Sequence, residues 1–238
     1  MFLYYITDRR QLSGTDAEQR EALLGKISQA TRCGVDFIQL REKDLSAREL
    51  LCLAEEARAR IAQHAARGTG NSRVITRLTI NSRLDVALAA GADGVHLRSD
   101  DISAADARAV SMAAGGARPL SPDRFLVACS CHTAEEVRRA EADGADLVVF
   151  APVFEKSGEP GVGLEGLRAA CLGTPPAKTP EPSPAIKIPV LALGGVTVEN
   201  ASACLAAGAA GIAGIRLFQD HDMEEVVARL RKTDRPID

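Results

Sequence analysis

Short apolar runs alternate along this chain with longer stretches in which apolar side chains return every three or four residues. The short runs fall near residues 3–7, 36–40, 78–81, 93–97, 125–130, 146–150, 189–193 and 211–215. Continuous runs of this length read as strands buried on both faces. The helical period predicts helices over Asp16–Thr31, Ala47–Ala66, Arg83–Ala90, Ala104–Ala114, Ala134–Asp143, Leu164–Cys171 and Val198–Ala207, with a last one over Met223–Lys232. Eight strands dispersed among helices predict an α/β chain of one domain, residues 1–238, folded as a single (β/α)8 TIM barrel. A doubly wound open sheet is the alternative, and it requires no such even dispersal.

One phrase recurs where helices give way to strands: Cys33-Gly-Val-Asp-Phe-Ile-Gln-Leu, Ala90-Gly-Ala-Asp-Gly-Val-His-Leu, Asp143-Gly-Ala-Asp-Leu-Val-Val-Phe and Ala207-Gly-Ala-Ala-Gly-Ile-Ala-Gly. A helix end commonly needs a residue at positive φ, which glycine supplies. The copies lie about two βα units apart. The irregular stretches Arg67–Arg73, Gly115–Asp123 and the Pro-rich loop insertion Gly173–Lys187 all precede strands. They are expected on the barrel face away from the strands' carboxyl ends, where insertions leave a catalytic site undisturbed.

Composition narrows the function classes. Of 238 residues, 46% are hydrophobic, enough for a sizeable core and against global disorder. Lys and Arg number 29 against 32 Asp and Glu, a net charge of −3 that leaves no broad basic face for nucleic acid. Aromatics at 3%, with no Trp, provide no base-stacking platform. No apolar run approaches the roughly 20 residues of a membrane span, and the N-terminus lacks a basic segment followed by an apolar one. The expected location is the cytoplasm, with no membrane partner. The six cysteines are scattered; only Cys129 and Cys131 are close, and no second pair completes a metal site, so buried free thiols are expected.

Barrel chemistry sits at the carboxyl ends of the strands. Thr7 and Asp8 follow the first predicted strand, Gln39 to Asp44 the second, and Asn81 with Ser82 the third. His96 to Asp101 follow the fourth, Ser130, Cys131 and His132 the fifth, and Pro152 to Gly158 the sixth. Gly194 and Gly195 close the seventh, and Gly214 and Arg216 the eighth. The cations Arg41, Lys43, Arg98, Lys156 and Arg216 exceed what a neutral substrate needs, and they predict a phosphorylated ligand. Gly194, Gly195 and Gly214 suit a backbone phosphate site on the last two strands, although tight turns alone would also ask for glycine. Gln39, Arg41 and Lys43 alternate, so an extended chain would project all three to one side as a clamp for a second anion such as pyrophosphate. Glu42 and Asp44 alternate with them, and a solvated charge run is the other reading. Asp101, beside Asp100, is either a magnesium ligand or an acid opening a helix. His132 is the best-placed general acid/base of the four histidines; His96 is expected to be a hydrogen-bonded structural residue, and His64 and His221 to be solvated.

These motifs resemble the thiamin phosphate synthase family, which includes the TenI-type thiazole tautomerase branch. The resemblance spans nearly the whole chain: Tyr5-Ile-Thr-Asp, Gly34-Val-Asp-Phe-Ile-Gln-Leu-Arg-Glu-Lys, Ile80-Asn, Gly91-Ala-Asp-Gly-Val-His-Leu, Ser130-Cys-His-Thr, Gly144-Ala-Asp, Ala192-Leu-Gly-Gly-Val and Gly208-Ala-Ala-Gly-Ile-Ala. It implies an enzyme of thiamin biosynthesis that condenses hydroxymethylpyrimidine pyrophosphate with thiazole phosphate and releases pyrophosphate with Mg2+. By resemblance, Gln39, Arg41 and Lys43 match the pyrophosphate- and pyrimidine-binding segment, and Asn81 the asparagine of the family's Asn-Asp pair. Asp101 matches a magnesium aspartate, Ser130 a pyrophosphate-contacting serine, and Gly194 and Gly195 the thiazole-phosphate site. His132 matches a histidine proposed to move protons in the tautomerase branch.

Four departures from the family pattern bear on activity. Ser82 stands where the family has its other magnesium aspartate, and Arg98-Ser99 where it has Gly-Gln. Glu155-Lys-Ser-Gly-Glu-Pro-Gly replaces a Thr-x-Thr-Lys loop, leaving Lys156 as the substitute lysine, and Arg216 replaces a serine. The intact Gln39, Arg41 and Lys43 array with Asp101 favours a transferase of the synthase type. Ser82 and the altered loop keep open a thiazole tautomerase, and a non-catalytic thiamin-precursor binding protein is a third reading. The implied partners are small phosphorylated thiazole and pyrimidine substrates, and a homo-oligomer is left open.

Overall fold

Each predicted strand is present to within about a residue at either end, and all of them pair in parallel. The computed structural model describes residues 1–65, 75–115, 124–155, 158, 160–173 and 185–233. Strands β1 (Phe2–Ile6), β2 (Phe37–Leu40), β3 (Arg77–Asn81), β4 (Gly94–Leu97), β5 (Leu126–Cys131), β6 (Leu147–Phe150), β7 (Val190–Ala192) and β8 (Gly211–Gly214) form a closed barrel in sequence order. Closure comes from β1 against β8, with Phe2 opposite Gly211 and Tyr5 opposite Gly214.

The helices are α1 (Asp16–Cys33), α2 (Ala47–Ala65), α3 (Leu84–Ala89), α4 (Ala104–Ala113), α5 (Ala134–Ala142), α6 (Gly163–Leu172), α7 (Ala201–Ala206), α8 (Arg216–Gln219) and α9 (Met223–Thr233). Two differences from the sequence reading stand out. The helix expected from Val198 begins at Ala201, because Asn200 turns back: its side-chain oxygen accepts from Thr197 N (2.8 Å) and its Nδ2 donates to Gly195 O (3.0 Å). Helix α8 and a 3-10 turn at Arg9–Gln11 were not anticipated, since elements this short show no period.

Strand alternation divides the core in two. Leu3, Tyr5, Ile38, Ile80, Val95, Val127, Cys129, Cys131 and Val148 face outward against the helices. Tyr4, Ile6, Phe37, Leu126, Ala128, Val149, Leu191 and Ala213 fill the barrel itself. All six cysteines are free, and the close pair Cys129 and Cys131 is buried among apolar side chains; burial pushes both thiols up to about 12. The glycines of the recurring phrase, Gly34, Gly91, Gly144 and Gly208, all have positive φ, as a helix end followed at once by a strand requires.

The aspartates of the same phrase have a role that the sequence did not disclose. Asp36, Asp93 and Asp146 each accept from the backbone N–H of the second residue of the preceding strand: Leu3 N (2.7 Å), Leu78 N (2.7 Å) and Val127 N (2.8 Å). The fourth copy of the phrase has Ala210 at this position and makes no such bond. The Pro-rich 173–187 stretch and the segments 66–74 and 116–123 lie wholly or mostly outside the described residues. No described helix is long and apolar enough to cross a membrane.

Candidate functional site

The carboxyl ends of β1–β8 open onto one mouth, so Gln39, Arg41, Lys43, Asn81, Asp101, Ser130, His132, Gly194, Gly195, Gly214 and Arg216 share it. Lys156, the remaining site residue expected from sequence, lies outside the described residues.

Inside the barrel, the alternate inward positions turn from apolar to polar approaching the mouth. Gln39 Nε2 donates to Asn81 Oδ1 (3.4 Å), and Asn81 Nδ2 donates to Ser82 Oγ (3.2 Å). Ser82 is the non-glycine residue at positive φ (61°) among the described residues. Tyr4 Oη lies 3.0 Å from Thr79 Oγ1 and 2.8 Å from His96 Nδ1, and His96 Nε2 lies 2.8 Å from Ser130 Oγ. His96 is therefore the hydrogen-bonded structural residue the sequence suggested. Tyr4 and Thr79 were not singled out. Their signal was a polar group at an inward position of an otherwise apolar strand.

Burial, followed by the neighbouring Arg41 cation, pushes His96 down from 6.5 to about 3. The folded protein holds the ring neutral while the unfolded chain takes up a proton below 6.5, so acidification from there towards 3 costs stability. The contribution reaches at most about 1.4 kcal/mol per pH unit. Denaturant unfolding of wild type and His96→Gln at neutral and mildly acidic pH should show the variant's stability falling less steeply, and parallel slopes would refute the assignment.

At the ends of β1 and β2 the extended chain stops at Leu40, and Lys43 and Asp44 lie in a turn. Strand alternation therefore does not carry Lys43 to the side of Gln39 and Arg41; the turn places it. Glu42 and Asp44 do not form a solvated run with these cations. Arg9, buried, is 2.6 Å from Asp44, 3.3 Å from Glu42 and 3.2 Å from Asp16, and Arg10 also binds Asp44 (2.6 Å). Glu42 accepts from Thr7 Oγ1 (2.6 Å) and Arg9 N (3.0 Å), and Thr7 Oγ1 accepts from Arg41 N (3.0 Å). Burial raises the Glu42 carboxyl, opposed by Thr7 and Arg9. Hydrogen bonds from Arg9 first, then Arg10, hold Asp44 well below its usual range. The acids are thus taken up by the β1 loop, leaving Arg41 with Asp8 at 4.0 Å as its ion pair among the described residues.

On the opposite side, Gly194, Gly195, Gly214, Arg216, His221 and Arg229 line part of one cavity of about 490 Å³. Gly194 and Gly195 take φ of +94° and +64°. A Cβ at Gly194 would fall 2.7 Å from Pro152 Cα, and one at Gly195 2.7 Å from Phe154 Cβ and 2.8 Å from Glu155 O. This is a tightly packed turn that only glycine allows, beside an exposed Arg216 that opens α8.

Asp101 lines a neighbouring cavity of about 350 Å³ with Arg98, Ser130 and Glu136. Its Oδ2 accepts from Arg98 N (2.7 Å) and its Oδ1 is 3.7 Å from Arg98 Nε, while Arg98 also binds Asp100 (2.7 Å). Among the described residues no group of three or more His, Cys, Asp and Glu is placed to hold a metal ion. His132 is exposed, and its Nδ1 lies 2.7 Å from Ala151 O. A carbonyl only accepts, so Nδ1 carries a proton, and in the neutral ring Nε2 is the acceptor.

The family described as thiamine monophosphate synthase matches this chain over residues 3–218. A putative thiamine-phosphate synthase of Geobacter sulfurreducens is 41% identical over 229 residues, covering 94% of this chain and 89% of its own. Putative thiamine-phosphate synthase 2 of Aquifex aeolicus is 37% identical over 219 residues, 91% of this chain and 96% of its own. The solved thiamine phosphate pyrophosphorylase from Pyrococcus furiosus superposes with a TM-score of 0.72 at 27% identity, covering 98% of this chain and 94% of that one.

Proposed function

This chain belongs to the thiamine monophosphate synthase family, and on that premise we propose how its barrel mouth condenses hydroxymethylpyrimidine pyrophosphate with thiazole phosphate. The observation that carries the reading is the pairing, on one mouth, of a cationic and hydroxyl-bearing side with a glycine turn beside a cavity. In the reaction the thiazole nitrogen forms a bond to the pyrimidine's exocyclic methylene carbon. The carbon–oxygen bond to pyrophosphate breaks, and the pyrophosphate leaves with the electron pair.

Gln39, Arg41, Lys43 and Ser130 are the donors we assign to that leaving group, where negative charge grows in the transition state. Gly194, Gly195, Gly214 and Arg216 are assigned to the thiazole phosphate, held by backbone N–H groups and one guanidinium. Asn81 orients Gln39. Magnesium fits the oxygen donors present, one carboxylate at Asp101 after β4 with the neutral Asn81 at the end of the adjacent β3 and Ser82 just past it, because it accepts few protein ligands and fills its shell with water and phosphate oxygens. Bound there, the ion would neutralise charge on the departing pyrophosphate. Lys156 is proposed as a further cation for the same group, and the free thiols are in keeping with a reducing compartment such as the cytoplasm.

Incubating the protein with both substrates should yield thiamin phosphate and pyrophosphate in equal amounts. Isomerisation of the thiazole carboxylate without condensation would make it a tautomerase, and binding without either reaction a precursor-binding protein. The acceptor Nε2 of His132 favours proton transfer as a second activity. His132→Ala should leave condensation within about twofold and reduce any tautomerisation by about a hundredfold. Equal loss of both would show that the division of roles is wrong.

A further inference from the structure

A barrel interior is normally filled by aliphatic side chains, yet this one holds a phenol, a threonine hydroxyl and an imidazole in contact with one another. Tyr4 and Thr79 are 0% exposed and His96 2%. Burying such groups is unfavourable unless each finds a partner, and here each does. The string leads in one direction, from the core to Ser130 at the mouth, where β5 ends and the ring nitrogen reaches Oγ at 2.8 Å.

The direction of the hydrogens follows from counting them. The imidazole is 2% exposed and its two nitrogens meet hydroxyls, not carboxylates, so the ring is neutral and has one N–H to place. A serine hydroxyl also has one proton. If Ser130 donates it to an anionic oxygen at the mouth, Oγ must accept from His96, so the ring proton is on Nε2. Nδ1 is then an acceptor to which the Tyr4 O–H donates, and Tyr4 Oη accepts from Thr79. Every hydrogen in the string points at the mouth. In the reverse order Ser130 spends its proton on Nε2 and has none for the anion, and the string ends on a long contact from Thr79 Oγ1 to Ile38 O (3.4 Å).

We propose that Thr79, Tyr4 and His96 are positioning residues: a buried hydrogen-bond string that fixes His96 as the Nε2–H tautomer and thereby aims the Ser130 proton at the departing pyrophosphate. No bond to substrate is made by these three residues and no net proton is transferred. The proposal rests on the assignment of Ser130 to the pyrophosphate. It differs from a packing role, because removing the Tyr4 hydroxyl leaves the aromatic ring and its contact with Phe37 in place.

The test uses the full chain with histidine-selective 15N labelling and inorganic pyrophosphate as the probe. With pyrophosphate bound, His96 should show a protonated Nε2 and an unprotonated Nδ1. Tyr4→Phe should lower kcat for condensation by about tenfold, weaken inhibition by pyrophosphate, and leave KM for thiazole phosphate unchanged. In a Ser130→Ala background the same substitution should have no further effect on kcat, since there is no hydroxyl left to aim. A protonated Nδ1, an unaltered Tyr4→Phe, or full additivity with Ser130→Ala overturns the string while condensation by the wild type stands. Wild-type protein that neither binds pyrophosphate nor condenses its substrates overturns the functional reading and the string together.

Discussion

Lys43→Ala should reduce condensation by about 10²–10³-fold in kcat while leaving the unfolding midpoint where it is. The residue is exposed in the turn after β2, so the change removes little packing, whereas the proposed leaving group loses a full positive charge just where its own charge develops. Truncating Arg41 should cost about as much, and Arg41→Lys should recover only part of the loss, because an ammonium keeps the charge but not the planar two-pronged donor set. Steady-state kinetics with pyrophosphate as product inhibitor separates the two cases: inhibition should weaken in proportion to kcat. A Lys43→Ala enzyme with unchanged turnover would remove the cationic side of the mouth from the mechanism. Isomerisation of the thiazole carboxylate, if the protein performs it, should survive this substitution, since no pyrophosphate leaves in that reaction.

The other large effect is expected at the glycine turn. Gly195→Val asks a β-branched residue to adopt φ near +64° and drives its Cβ to within 2.8 Å of Glu155 O and 2.7 Å of Phe154 Cβ. Neither obstacle yields easily, because one is backbone and the other the root of a side chain, so the loops after β6 and β7 must separate. Thiazole phosphate binding should weaken by about a hundredfold or more, and the protein should lose about 2–3 kcal/mol of stability. Gly25→Ala provides the contrast. Gly25 sits in the exposed middle of α1 with nothing within 4 Å of an added Cβ, so the substitution should stabilise the chain by about 0.5–1 kcal/mol and leave binding untouched. Calorimetry of phosphate-ligand binding on both variants reads this directly; unaltered binding in Gly195→Val would dissociate the turn from the ligand.

Much of the barrel was readable in one dimension because its signals are local. Apolar runs, helical periods and the four helix-ending glycines each report on a few neighbouring residues, and the strands were found within about a residue of their place. The site residues were readable for a related reason: once the strands are known, the residues after each one must face the same mouth. What failed were inferences that needed a partner far along the chain. Glu42 and Asp44 looked like companions of Arg41 and Lys43, but they are bound by Arg9 and Arg10, more than thirty residues earlier. The aspartates of the recurring phrase have no role legible in the sequence, yet each seals the start of a neighbouring strand.

The amino-acid order alone therefore determined the number and sequence of strands, the end of the barrel that carries chemistry, and the residue types available there, because these depend on periodicity and on the rule that a parallel barrel presents its strand ends together. Only the closed structure decided which acid neutralises which base, which tautomer His132 presents, and that Tyr4, Thr79, His96 and Ser130 touch. Those outcomes depend on side chains brought within about 3 Å from distant strands, where burial strengthens each polar contact and penalises every unpaired group.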